Sequence, residues 1–314
     1  MEYRNLGNTG LRVSRLCFGA LTVGPLQADL PLQSGAAVIR AALDAGVNFI
    51  DTAELYGTYS YIKAACQGSH DVIVASKCYA YTYEDMRRSV EGACRAIGRD
   101  YIDIFLLHEQ PSRLTLAGHA AALAYLADAK RQGIIRAAGV STHTVEVVRA
   151  ATDMADIDVI FPLFNMRGIG IADGTAADMA AAIAAAAAAG KGVYTMKALG
   201  GGHLIKEAPA ALAWVLAASG VAAVAVGMQS LDEVAYNCAL FAGAEPDAAL
   251  AASLAGRTRR LLVEDWCVGC GRCAAKCPAG ALRVADGQAV VDPEKCLCCG
   301  YCGAYCPEFC LKII

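Results

Sequence analysis

Apolar residues in the first part of the chain fall into short runs separated by longer stretches of helical periodicity. The runs are 13–18 (VSRLCF), 47–50 (VNFI), 72–76 (VIVAS), 101–107 (YIDIFLL), 134–140 (IIRAAGV), 159–161 (VIF), 192–196 (GVYTM) and 221–226 (VAAVAV). Short apolar runs bounded by turn residues predict buried strands. Between them, Met86, Val90, Ala93 and Ile97 recur at helical spacing behind a Thr82-x-x-Asp85 start. Ser230 with Glu233 predicts a capping box ahead of the stripe Val234, Cys238 and Phe241. Eight strands alternating with helices predict a (β/α)8 TIM barrel of the α/β class. A doubly wound sheet is the rival, but the turn after the first long run reads FGALTVG and lacks the GxGxxG fingerprint. The opening YRNLGNTGLRVSRL predicts a short hairpin closing the barrel floor.

The last fifty residues follow a different pattern. Residues 281–292 (ALRVADGQAVVD) predict a hairpin around an Asp-Gly turn. Too little apolar sequence surrounds it for an independent core, so something must staple the segment. Of 15 cysteines, only Cys17, Cys66, Cys78, Cys94 and Cys238 precede position 260. The others crowd between 267 and 310. This break predicts two domains, 1–262 and 263–314.

The late cysteines repeat one spacing: Cys267-x2-Cys270-x2-Cys273-x3-Cys277-Pro, then Cys296-x2-Cys299-x2-Cys302-x3-Cys306-Pro. Three thiolates on one tight loop grip three corners of a cubane, and the fourth reaches the other cluster. The expected sets are Cys267, Cys270, Cys273 and Cys306 for one [4Fe-4S] cluster, and Cys296, Cys299, Cys302 and Cys277 for the other. Zinc is the competing reading, but zinc sites take paired knuckles rather than triplets ending in Cys-Pro. Residues 264–314 resemble a bacterial two-[4Fe-4S] ferredoxin. Cys298 and Cys310 lie outside the pattern and receive no role.

Composition narrows the class. Hydrophobic residues make 56% and charged residues 18% of 314, as in a compact globule. The net charge of −3 and the lack of a basic run give no sign of nucleic-acid binding. The polar start MEYRNLGNTG has no apolar export core. The alanine-rich run 176–190 is too short to span a bilayer and predicts a soluble helix. Many cysteines without an export signal point to a reducing, cytoplasmic setting.

Four polar residues end consecutive strand units: Asp51, Tyr56 in the loop just after it, Lys77 and His108. Any one alone would merely cap a barrel mouth; four at one rim favour a site. In this reading Lys77 makes Tyr56 a better acid, Asp51 holds Lys77, and His108 orients a carbonyl oxygen. Tyr56 protonates that oxygen as hydride reaches the carbon.

DTAELYG (51–57), ASK (75–77) and LLH (106–108) resemble the landmarks of the aldo-keto reductases, over roughly residues 3–240. The resemblance implies the tetrad Asp51, Tyr56, Lys77 and His108, a (β/α)8 barrel, and NADPH or NADH laid across its mouth. It places cofactor contacts at Ser141, Thr142, Asn165, Met196, Lys197, Gly227, Gln229, Ser230, Glu233 and Asn237. Several of these depart from the family pattern. Thr142 stands for the usual asparagine, Phe161 for a glutamine, Met196 for the stacking aromatic and Gln229 for a basic residue. These changes leave the choice between NADPH, NADH and weak binding open. His143 and His203 lie near the predicted mouth and read as structural.

Three functions fit. The first is an NAD(P)H-dependent carbonyl or alcohol oxidoreductase, with the clusters as a port to a redox partner or substrate. In the second, the clusters feed electrons singly while the tetrad supplies protons, without nicotinamide. The third is an ordinary reductase with a docking or structural module. No sequence feature demands a flavin.

Overall fold

The computed structural model of the protein describes residues 1–67 and 71–314. Strands β1 (Tyr3–Asn5) and β2 (Arg12–Ser14) form the antiparallel hairpin predicted at the start. Eight parallel strands then close a barrel: β3 (Leu16–Gly19), β4 (Phe49–Asp51), β5 (Ile73–Cys78), β6 (Ile102–Leu107), β7 (Ile135–Thr142), β8 (Val159–Pro162), β9 (Gly192–Thr195) and β10 (Ala223–Gly227). They follow chain order, and β10 pairs back onto β3. The predicted run 13–18 therefore divides. Arg15 breaks it, turning its guanidinium to the carbonyls of Leu216 and Val221.

Strand alternation builds the interior and delivers the site. Phe49, Ile73, Ala75, Ile104, Leu106, Val159, Phe161 and Tyr194 point inward, above Leu6, Leu11 and Val13 of the floor hairpin. Two residues beyond the last inward apolar positions on three strands come Asp51, Lys77 and His108. The other face of the strands packs on the helices through Val74, Phe105, Val140 and Ile160, among others. The helix Tyr83–Ile97 starts as its sequence predicts, with Thr82 Oγ1 accepting from the Asp85 amide at 3.1 Å. The alanine-rich run forms a helix at Ala176–Ala188. Among the described residues, no helix is long and apolar enough to cross a membrane.

Beyond the barrel, β11 (Leu261–Val263) pairs antiparallel with β14 (Leu311–Ile313) at the end of the chain. Between them β12 (Leu282–Ala285) and β13 (Gln288–Val291) make the expected hairpin. Asp286 and Gly287 at its turn both take positive φ (50° and 75°), as a type I′ turn requires. The core here is small: Leu261, Leu282, Ala289, Leu311 and Ile313 with several cysteines.

This segment docks on the rim of the barrel. Phe309 packs with Leu163, Ile169, Leu204 and Ala211, from the chain following β8 and β9. His203 Nε2 donates to the Leu311 carbonyl at 2.9 Å. Glycine is required at two of the contacts. A Cβ on Gly170 would lie 2.5 Å from the Phe309 ring, and one on Gly201 would lie 3.0 Å from it. Both glycines also hold positive φ.

Candidate active site and cysteine loops

Lys77 is 1% exposed, and its Nζ donates to Asp51 Oδ1 at 2.7 Å and to the Thr52 carbonyl at 2.8 Å. The second Asp51 oxygen accepts from the Tyr194 hydroxyl at 2.9 Å. Tyr194 in turn stacks on Phe161, with ring centroids 3.9 Å apart. Burial raises the Asp51 pKa and lowers that of Lys77, and each charge opposes the shift of its partner. Close contact and two further hydrogen bonds keep the pair ionised.

The Lys77 ammonium lies over the ring of Tyr56, 4.8 Å from its centroid. Sequence reasoning predicts a phenol acidified by this lysine. The structure differs, because the ammonium is spent on Asp51 and Thr52. Burial pushes the Tyr56 phenol well above its ordinary range, and Asp51 and Glu109 push the same way. His108 faces Tyr56 edge-on, with centroids 5.8 Å apart, and stacks on Tyr79 at 4.3 Å. Burial, with Lys77 and Lys197 nearby, holds its imidazole well below the usual value. The mouth thus presents a neutral phenol and a neutral imidazole above a buried ion pair. This arrangement can hydrogen-bond a carbonyl oxygen and hand it a proton.

The late cysteines ring two cavities. One, of about 280 Å³, is lined by Cys267, Cys270, Cys273 and Cys306. The other, of about 350 Å³, is lined by Cys277, Cys296, Cys299 and Cys302. Four of the eight thiols thus face each cavity, Cys306 with the first triplet and Cys277 with the second. Amides of Ala289, Ala281 and Cys310 donate to the sulfurs of Cys267, Cys277 and Cys306 at 3.3–3.4 Å. Among the described residues, no three His, Cys, Asp or Glu side chains form a group able to hold a single metal ion. Cys298 and Cys310 line the two cavities as additional thiols, and Cys310 Sγ lies 3.3 Å from Cys306 Sγ.

Residues 15–208 match the model of the aldo/keto reductase family. The chain belongs to this family. Residues 261–307 match the 4Fe-4S dicluster domain. L-galactose dehydrogenase of Arabidopsis thaliana is 27% identical over 222 residues, covering 67% of this chain and 69% of that protein. Aldo-keto reductase YhdN of Bacillus subtilis (strain 168) is 27% identical over 183 residues, covering 53% of this chain and 54% of that protein. A solved structure from Pseudomonas aeruginosa, assigned to the aldo-keto reductases, aligns with a TM-score of 0.67 at 28% identity. It covers 77% of this chain and 94% of that one. The protein is thus an oxidoreductase, an aldo-keto reductase barrel joined to a ferredoxin-like 4Fe-4S domain.

On this aldo-keto reductase the expected nicotinamide contacts share one rim, but most of their polar atoms are engaged locally. Ser141 Oγ accepts from the Glu109 amide at 2.8 Å. Thr142 Oγ1 donates to the Gln110 carbonyl at 2.7 Å. Asn165 is fully buried; its amide donates to the Ile169 carbonyl, and its oxygen accepts from the Ile169 and Arg167 amides. Met196 packs between the barrel interior and the Phe309 cluster. Lys197 Nζ lies 2.8 Å from His143 Nε2. The space beside Gly227 is filled by Thr22.

Farther along the rim, Ser230 Oγ accepts from the Glu233 amide, but Glu233 Oε2 takes the Gln229 amide at 2.6 Å. The expected capping box is therefore half formed. Arg257 binds Ser230 Oγ at 3.0 Å and Glu233 Oε1 at 3.1 Å, and Asn237 Nδ2 donates to the Glu233 carbonyl.

Sequence reasoning missed Tyr194, Glu109, Tyr79, Phe309 and Lys312. Tyr194 was detectable as a lone hydroxyl-bearing residue on an inward position of a buried strand. Tyr79 and Glu109 follow β5 and β6 beside Lys77 and His108 and were detectable from that position, whereas Phe309 and Lys312 reach the mouth only through tertiary contacts.

Proposed function

We propose that the barrel interconverts a carbonyl and an alcohol on a small molecule, with NAD(P)H as the hydride source. The observation that carries this is the assembled tetrad, with the Lys77–Asp51 pair beneath Tyr56 and neutral His108 opposite. When bound, nicotinamide supplies or accepts a hydride at the substrate carbon. His108 orients the carbonyl oxygen, and Tyr56, which burial keeps protonated, gives that oxygen its proton. Lys77 lies against the ring and attracts the phenolate that remains. In the reverse direction Tyr56 takes the proton back.

The eight cysteines fit two [4Fe-4S] clusters, held in the two cavities as assigned above. They would pass single electrons between the barrel mouth and a redox partner, in a reducing cytoplasm. Cys270 and Cys299 are exposed, flanked by the exposed apolar side chains Val268 and Leu297, which suits docking of such a partner. Tyr56→Phe tests the reading: turnover of aldehydes falls by about 100-fold or more, while cluster absorbance and melting temperature hold. Turnover near wild type would remove Tyr56 as proton donor.

The local engagement of Ser141, Thr142 and Asn165 favours a second reading, in which the clusters feed the mouth and nicotinamide is not used. Anaerobic titration separates the two. Bleaching of the cluster absorbance by NADPH or NADH supports the first. Turnover with reduced ferredoxin and no nicotinamide supports the second.

A further inference from the structure

Two lysines from different domains meet at the mouth with no counter-ion beside them. Lys197 follows β9, and Lys312 lies on β14, 8% exposed. Both ammoniums sit against the ring of Phe309, at 4.5 and 3.3 Å from its centroid. Lys197 Nζ otherwise contacts His143, and Lys312 Nζ the Phe309 carbonyl. Among the described residues neither has a carboxylate within ion-pairing distance. The negative groups whose charge reaches them are Glu109 and Glu264 for both, and Cys306 for Lys312. Glu109 is already committed, accepting from Tyr79 at 2.9 Å and lying 3.1 Å from His143 Nδ1.

The backbone marks the same spot. Of the six non-glycine residues with positive φ among the described residues, three gather here: Glu109 at 49°, Lys197 at 59° and Phe309 at 48°. Strain of this kind persists where the surroundings enforce it, and it collects at ligand sites. Burial, with the Lys77 charge nearby, pushes Lys197 down to about 8, and burial with Lys197 nearby pushes Lys312 down to about 6. An anion placed between the two would offset burial and favour the charged form of both. The Lys197 charge also helps to lower the His108 imidazole, so the two lysines act on the same rim as the tetrad.

We infer that Lys197 and Lys312 form a clamp for a carboxylate on the substrate, so that the enzyme acts on carbonyl compounds that also carry an acid group. The substrate class rests on the carbonyl chemistry proposed above, whereas the clamp itself is tested by binding alone.

The probe is benzoate, with benzamide as its uncharged match, measured by calorimetry on anaerobic, cluster-loaded protein. Benzoate is expected to bind at least about tenfold tighter than benzamide, as a charge-assisted pair allows. Lys197→Gln and Lys312→Gln each erase that preference, and Lys312→Arg keeps it. Unchanged cluster absorbance and melting temperature certify the folds. Equal binding of benzoate and benzamide overturns the clamp. Two further results also overturn it. In one, Lys312→Gln shifts the cluster midpoint potential while benzoate binding stays unchanged, which makes Lys312 a countercharge to the cluster. In the other, the variants weaken NADPH but not benzoate, which assigns the lysines to the cofactor diphosphate. Benzoate binding that persists without any aldehyde turnover leaves the clamp standing and refutes only the carbonyl reading.

Discussion

Removing one half of the Asp51–Lys77 pair strands the other. In Asp51→Asn the ammonium stays buried, with the Thr52 carbonyl as its remaining strong acceptor. The expected loss is about 3–5 kcal/mol of stability, read from urea midpoints. Asp51→Asn with Lys77→Met removes both charges and is expected to recover much of it. A single variant as stable as wild type would show that the pair is not ionised in the fold. Residue by residue, the tetrad was legible because Asp51, Lys77 and His108 interrupt apolar strands at their ends. The protonation of Tyr56 was not legible. It depends on where the Lys77 ammonium points, and that is settled by Asp51, Thr52 and Tyr194 converging from other strands.

At the scale of elements, the barrel announces itself through alternation. Inward Phe49 and Ala75 precede inward Asp51 and Lys77 by one pleat, so the pattern that predicts a strand also aims its polar end into the mouth. The glycine run 200–202 carried no such clue. In the structure Gly201 accommodates Phe309, and a Cβ on Gly202 would lie 2.0 Å from the Ile313 carbonyl. Nothing local in the sequence says which surface will receive the end of the chain. Gly170→Ala tests the contact, since the added methyl meets the Phe309 ring and the positive φ is costly for alanine. Proteolysis in the 242–260 connection should accelerate several-fold, with the barrel left intact. Cleavage at the wild-type rate would mean that the wedge contributes little to docking.

Acid should act on the whole molecule. His108 and His143 in the mouth, and His203 at the junction, all hold their pKa below the ordinary value because burial penalises the cation. An unfolded histidine takes up its proton near about 6.5. The unfolded chain therefore binds more protons than the folded one as pH falls through that value. The stability gained from keeping these rings neutral is present above about pH 6.5 and lost below it. The urea midpoint is expected to drop between pH 7.5 and 5.5, and His108→Asn should shrink the drop. Equal midpoints at both pH values would contradict the buried, neutral assignment.

The docking of the last strand has a consequence for anyone who shortens the chain. Cut after Gly256, the polypeptide keeps all eight barrel strands and every residue of the tetrad. It also uncovers Leu163, Ile169 and Leu204, which Phe309 now shields. A bare oily patch at the barrel mouth invites self-association, so the trimmed enzyme should be sticky even where its chemistry survives.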